Sequence, residues 1–271
     1  MVRRVGPREQ PRWGCGEGAL ETLMAKADHA MVLGDVTAVL MAKRPEPGAV
    51  KTRLAGPGGL DPEAAAQLSW AMLWCTAERL CAASPRVILA VSPDGCGGEL
   101  AEALDVQFTQ IVDQGTGDLG RRLERVWEVV GGEGGIAFFG VDAPDVPVTA
   151  LREIPHALAN HNLAIGPTVD GGYWTLAAGG FHPEVTRGID WGSDRVYDQT
   201  RQRAAEAGLA VYALPRWYDV DRPSDVEALS RRLEERLGSS PTGSVDERAL
   251  RRLASQIRIL TKSSATPESS L

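Results

Sequence analysis

Apolar residues fall either in short continuous runs or in longer stretches with a period near 3.6, and the two patterns predict different elements. Val36-Thr-Ala-Val-Leu-Met41 has the length of a buried strand. Asp61-Pro62 opens a long helix, with a capping acid followed by proline at the first helical position. Leu68, Trp70, Met72, Leu73 and Trp74 make that helix apolar on most sides, so cover on two faces is expected. Arg86–Val91 and Val106–Val112 read as the second and third strands. Residues 118–130 align Leu119, Leu123, Val126, Trp127 and Val130 on one helical stripe and keep Arg121, Arg122 and Arg125 off it. Gly135–Val141 is the clearest buried strand. Helices near 149–160, 193–207 and 224–237 follow, interleaved with strands near 163–168, 172–177 and 209–214.

Continuously apolar strands alternating with helices predict an α/β domain, residues 36–237, with a mostly parallel central sheet flanked by helices. An antiparallel excursion fits the back-to-back strands around Asp170-Gly171-Gly172, which makes the sheet mixed. Residues 1–35, with scattered Gly and Pro and no early periodicity, read as a poorly ordered leader. Residues 238–271 read as a tail with one short helix, marked by Leu250, Leu253, Ile257 and Leu260.

Charge sharpens this outline. The formal net charge is −7, which argues against a protein that grips nucleic acid. Residues 36–237 alone hold 28 Asp and Glu against 19 Lys and Arg. Yet Lys43, Arg44, Lys51 and Arg53 cluster there, opposed locally only by Glu46, which suggests a bound anion or a solvated basic loop. No apolar run is long enough to span a membrane. Cys15, Cys75, Cys81 and Cys96 form no C-x-x-C pair and no secretion signal opens the chain, so the reducing cytoplasm is the expected compartment.

Ligands of open α/β sheets bind beyond the carboxyl ends of the strands, which gathers distant positions into one expected site. The cationic loop follows the first strand, Asp113–Asp118 the third, Asp142-Ala-Pro-Asp145 the buried Phe strand, and Tyr218-Asp-Val-Asp221 the last. Acids and cations together suit a polyphosphate with a divalent ion, Mg²⁺ or Mn²⁺. Asp142 follows a strand that holds it rigidly, and Asp219 or Asp221 offers a second carboxylate. Helix capping is the competing role for Asp142 and Asp221, and the more natural one for Asp145. Asp170 is either a base or the turn residue of an Asp-Gly hairpin. Gly171 and Gly172 allow a ligand close to the backbone. Trp174 and Trp191 either stack on a sugar or belong to the core.

Five blocks carry a resemblance: Met41-Ala-Lys-Arg-Pro-Glu-Pro-Gly-Ala-Val-Lys-Thr-Arg-Leu54, Gly117-Asp-Leu-Gly-Arg-Arg-Leu123, Gly140-Val-Asp-Ala-Pro-Asp-Val-Pro147, Gly166-Pro-Thr-Val-Asp-Gly-Gly-Tyr-Trp174 and Tyr218-Asp-Val-Asp-Arg-Pro223. Over roughly residues 36–235 the chain resembles a bacterial family of glycosyltransferase-like proteins. That family was formerly a domain of unknown function, and some members are associated with arsenosugar biosynthesis. It is similar to the nucleotide-diphospho-sugar transferase superfamily of the GT-A type, which also holds molybdopterin and phospholactate nucleotidyltransferases.

The resemblance implies a GT-A fold with Ala42 and Lys43 beside the nucleoside and Arg44, Lys51 and Arg53 toward the phosphates. It implies that Gln114, Gly117, Asp118 and Leu119 border the base, that Asp142 and Asp221 bind the metal, and that Asp145 faces the substrate. Pro45 and Pro47 depart from the glycine-rich loop common in nucleotidyltransferases. The expected activity is metal-dependent glycosyl transfer from a nucleotide-diphosphate sugar to a small-molecule acceptor. Lys51 and Arg53 would stabilise the leaving diphosphate, and Asp170 would serve as base. Nucleotidyl transfer from a nucleoside triphosphate with release of pyrophosphate is the alternative, and a non-catalytic nucleotide-sugar-binding module is the third reading.

Overall fold

The computed structural model describes residues 31–54, 59–131, 134–238 and 242–264. The expected leader lies outside the described residues up to residue 30. The strands are β1 (Thr37–Lys43), β2 (Val87–Ser92), β3 (Gln110–Asp113), β4 (Ile136–Phe139), β5 (Leu163–Pro167), β6 (Tyr173–Ala178) and β7 (Val211–Ala213). The helices are α1 (Pro62–Ala83), α2 (Gly97–Leu104), α3 (Leu119–Val130), α4 (Val148–Leu158), α5 (Val196–Glu206), α6 (Pro223–Leu237) and α7 (Val245–Ser264). The sheet order is β3-β2-β1-β4-β6-β5-β7, parallel except for β6, which runs antiparallel to both neighbours. The mixed sheet expected from the Asp170-Gly171-Gly172 hairpin is therefore present. Helix α2 lay in a stretch where the sequence suggested no element; it covers its short length by burying Leu100 and Leu104.

Helix α1 forms where Asp61 accepts the Ala64 amide at 2.7 Å and Pro62 fills the first position. Its apolar circumference is covered by the sheet and by α7. The amphipathic patch expected as a short tail helix is a helix of 20 residues that buries Ala249, Leu250, Leu253, Ile257 and Leu260 in the main core. Each such leucine contributes about 2 kcal/mol of apolar burial. No helix among the described residues is long and apolar enough to cross a membrane.

One carboxyl is trapped at this helix pair. Glu78 on α1 has a buried Oε2 with no hydrogen-bond partner, and burial pushes its pKa up to about 7 against the pull of Arg252 and Arg248 on α7. The folded chain therefore holds this proton after the unfolded chain has released it, so stability falls as pH rises between about 4.5 and about 7. Glu78→Gln is expected to stabilise the protein at pH 8 by about 1–2 kcal/mol after allowance for partial exposure. The gain should vanish at pH 4, as thermal melts of both proteins at the two pH values would show. An equal gain at both would remove the trapped proton as its cause.

Candidate active site

A cavity of about 430 Å³ opens beyond the carboxyl ends of β1 and β4. The end of β1 supplies Lys43 and the loop after it Lys51 and Arg53, the loop after β4 supplies Asp142, and Asp221 enters from the segment before α6. Lys51 is the hub. Its ammonium lies 2.6 Å from Asp142 and 2.8 Å from Asp221, and donates to the Val220 carbonyl at 2.6 Å. Its side chain is only 6% exposed. Burial lowers its basicity, but the two carboxylates outweigh that and the pKa is raised, so it stays charged. The backbone at Lys51 is left-handed, with φ +49°, an uncommon conformation for a side-chain-bearing residue. Arg53 reaches Asp221 at 3.6 Å and is 67% exposed. Lys43 donates to the Ala49 carbonyl at 2.7 Å, which closes the loop on itself.

The far wall is built from β3 and α3. Gln114 is buried, and its amide donates to the strand-end carbonyls of Ala42 at 3.0 Å and Ala90 at 2.8 Å. Ala42 is itself fully buried and does not line the cavity; its carbonyl anchors the Gln114 amide. Leu119 lines the cavity and is 39% exposed. Asp118 caps α3 by accepting the Arg121 amide at 2.8 Å, and the Gly117 carbonyl accepts from Arg122 at 3.0 Å. Neither Gly117 nor Asp118 lines the cavity.

Several expected site residues are engaged elsewhere. Arg44 is turned to Glu46 and to Glu99 of α2, the latter at 3.0 Å, and does not line the cavity. Asp145 is 2% exposed, accepts from Trp217 at 3.0 Å and Arg232 at 2.7 Å, and does not line this cavity. Trp174 is 4% exposed; its indole donates to the Pro215 carbonyl at 3.0 Å and its ring stacks near Phe139, so it forms cavity floor and offers no free face. Trp191 packs edge-on to Tyr173 and against Gly120, outside the cavity lining. The close approach at Gly171 is made by the protein itself: a Cβ there would lie 1.9 Å from the Asp194 carbonyl oxygen. A Cβ at Gly172 would meet the Thr168 and Asp170 side chains at 3.2 and 3.3 Å.

Asp170 is the turn residue and also stands at a second cavity. Its Oδ1 accepts from Thr168 at 2.5 Å and from the Gly172 amide at 3.0 Å. A cavity of about 220 Å³ adjoins the first; Arg53 and Asp221 line both, and Asp170, Asp219 and Tyr218 line the second. Asp170, Asp219 and Asp221 each offer an oxygen within 4.8 Å of the others. Burial first, then the Asp170 charge, pushes the Asp219 pKa up to about 6. Such a set of hard oxygen donors fits Mg²⁺ or Mn²⁺. Asp142 and Asp221 also converge on one cationic group, the Lys51 ammonium. Ser69 of α1 lines the first cavity with no signal in the sequence, since its helical neighbours are apolar, and Tyr173, at the start of β6, lines it from the Gly166–Trp174 block though not among the expected site residues.

The sequence profile of a family described as an uncharacterized protein conserved in bacteria (DUF2064) matches residues 76–193. No curated protein matches the chain. Among solved structures, a Desulfovibrio desulfuricans protein named as a candidate nucleotide-diphospho-sugar transferase is 28% identical, with TM-score 0.68 over 83% of this chain and 98% of that one. More distant are a nucleotidyl transferase from Methanothermobacter (18% identity, TM-score 0.47, 72% of this chain and 96% of that one) and the inositol-1-phosphate CTP transferase of T. maritima (13%, 0.46, 83% and 97%). Over residues 76–193 the chain thus carries the sequence signature of this bacterial family, on the nucleotide-diphospho-sugar transferase fold.

Proposed function

We propose that the protein is a transferase that binds a nucleotide-diphosphate sugar in the larger cavity and moves the glycosyl group to a small hydroxylated acceptor in the smaller one. The observation that carries the reading is the seam between them, where Arg53 and Asp221 line both spaces and Lys51 pairs with Asp221. A diphosphate gains negative charge as its sugar leaves, and fixed cations at the seam stabilise that charge without reorganising. A divalent ion on Asp221 with Asp142 or with Asp170 and Asp219 would add Lewis-acid stabilisation of the leaving group. Asp170 supports the base role by position: both hydrogen bonds to its carboxylate go to Oδ1, and the residue is exposed at the smaller cavity. The carboxylates of Asp170, Asp219 and Asp221 there offer acceptors for the hydroxyls of an acceptor sugar or alcohol, which supports glycosyl transfer.

The test is a panel of nucleotide sugars and nucleoside triphosphates, each with Mg²⁺ or Mn²⁺ and with neutral and phosphorylated acceptors. Release of a nucleoside diphosphate together with a glycosylated neutral acceptor is expected. Pyrophosphate released from a triphosphate with a phosphorylated acceptor would overturn the reading in favour of nucleotidyl transfer. Binding without turnover across the panel would leave a nucleotide-sugar-binding module.

A further inference from the structure

The loop Asp142–Val146 carries a candidate metal ligand, yet it belongs to neither the sheet nor a helix, so its carbonyls need partners from elsewhere. The Asp142 carbonyl accepts the Val220 amide at 2.9 Å, and the last three carbonyls of the loop are held by arginines on distant helices. The two terminal nitrogens of Arg79, near the C-terminal end of α1, donate to the carbonyls of Pro144 and Val146. Arg236 of α6 donates to the intervening Asp145 carbonyl at 3.0 Å. Both guanidiniums are held by one carboxylate: Asp246 at the start of α7 accepts from Arg79 at 2.6 Å and from Arg236 at 2.7 Å. Arg79 is 5% exposed and Asp246 11%. A buried ion pair is weak evidence for stability as such, because desolvation offsets its attraction. This one spends its donors on three successive carbonyls of a single irregular segment.

We propose that Asp246, on the C-terminal helix and outside residues 76–193, is a positioning residue for Asp142. It aims Arg79 and Arg236 so that the loop behind the Asp142 carboxylate stays fixed. The metal part of this inference rests on the functional reading above; the fixing of the loop does not. Partners behind metal ligands are worth about tenfold or more in metal affinity.

Arg79→Lys keeps a cation for Asp246 but provides a single ammonium where two nitrogens now reach two carbonyls. Amide hydrogen exchange across residues 142–147 is expected to quicken about tenfold, the factor that about 1.4 kcal/mol of local opening brings, with β1 and β4 at wild-type rates. Affinity for Mn²⁺ alone, read by electron paramagnetic resonance, should fall about tenfold. Asp246→Asn, which keeps the side-chain shape, should move both readouts in the same direction and serves if the first variant fails to fold. Leu253→Ala, a core truncation on the same helix, is the control and should leave the 142–147 segment no faster than the rest of the chain. Unchanged exchange at 142–147, or acceleration spread evenly as in the control, would overturn the proposal. Wild-type protein that takes up no Mn²⁺ would sink the metal reading, while the exchange pattern would still decide the positioning.

Discussion

Lys51→Met is expected to bind Mn²⁺ at least about tenfold more tightly than the wild-type protein while binding nucleotide more weakly. The reason is that the Lys51 ammonium sits between Asp142 and Asp221, at 2.6 and 2.8 Å, where a cation shared by those carboxylates would sit. Methionine fills nearly the same volume and brings no charge, so the two facing carboxylates lose their buried cation and keep only the exposed Arg53, 3.6 Å from Asp221. Without metal the variant should be less stable. Breaking a fully buried pair costs about 3–5 kcal/mol, and the half-exposed Asp142 and partly exposed Asp221 reduce that to about 1–2 kcal/mol. Added Mn²⁺ should then raise the melting temperature of the variant more than that of the wild type, because a ligand stabilises in proportion to its occupancy. The left-handed backbone at Lys51 supports the same view: that conformation costs about 1–2 kcal/mol in an L-residue and is retained here with the ammonium anchored at three points. Calorimetric titration with Mn²⁺ alone decides the matter. Equal or weaker metal binding by the variant would show that lysine and metal do not compete for one place.

Much of the architecture was legible because buried strands announce themselves as continuous apolar runs: β4 falls within the stretch so marked, and β1 and β2 start within theirs and run past them to Lys43 and Ser92. The same pattern set the strand ends, and with them the meeting of Lys43, Lys51, Arg53, Asp142 and Asp221 at one cavity. What could not be read is the choice of partner. Asp145 read in sequence as a helix cap or a substrate contact, and its carboxylate is taken instead by Arg232, 87 positions away. Arg44 belonged to a cation cluster in sequence, and Glu99, 55 positions on, shares it in space with Glu46. Such pairings depend on how helices pack against the sheet, and local periodicity carries no record of them. One signal was available: Arg79, beside Glu78, interrupts the apolar run of a helix covered on two faces, and a charge buried there must be paired. The C-terminal helix was underestimated for a related reason. Its apolar stripe is plain, but only the matching face of α1 shows that the stripe completes the core.

Gly171→Ala is expected to lower stability by about 3 kcal/mol or more, a fall of roughly 6–12 °C in melting temperature for a chain of this size. Two independent terms act there. The backbone has φ +91°, which an L-residue adopts only under strain. The new Cβ would also lie 1.9 Å from the Asp194 carbonyl oxygen and 2.4 Å from its carbon, and both belong to backbone that cannot rotate aside. The Gly171 carbonyl meanwhile accepts the Tyr197 amide at 2.9 Å, so the hairpin tip is docked on the segment that leads into α5. Gly172→Ala is the comparison. Its φ is not in the left-handed region and its Cβ would meet only the Thr168 and Asp170 side chains, so a loss below about 1 kcal/mol is expected. The pair of variants separates two reasons for glycine next to Asp170. If the backbone is bare chiefly to admit a ligand, Gly171→Ala should lose only the part of its stability that the positive φ costs, and fail in binding. If the glycine lets the hairpin close on the Asp194 segment, Gly171→Ala should unfold early while Gly172→Ala does not. The 1.9 Å contact favours closure, and it makes the placement of Asp170 at the smaller cavity depend on a contact within the protein.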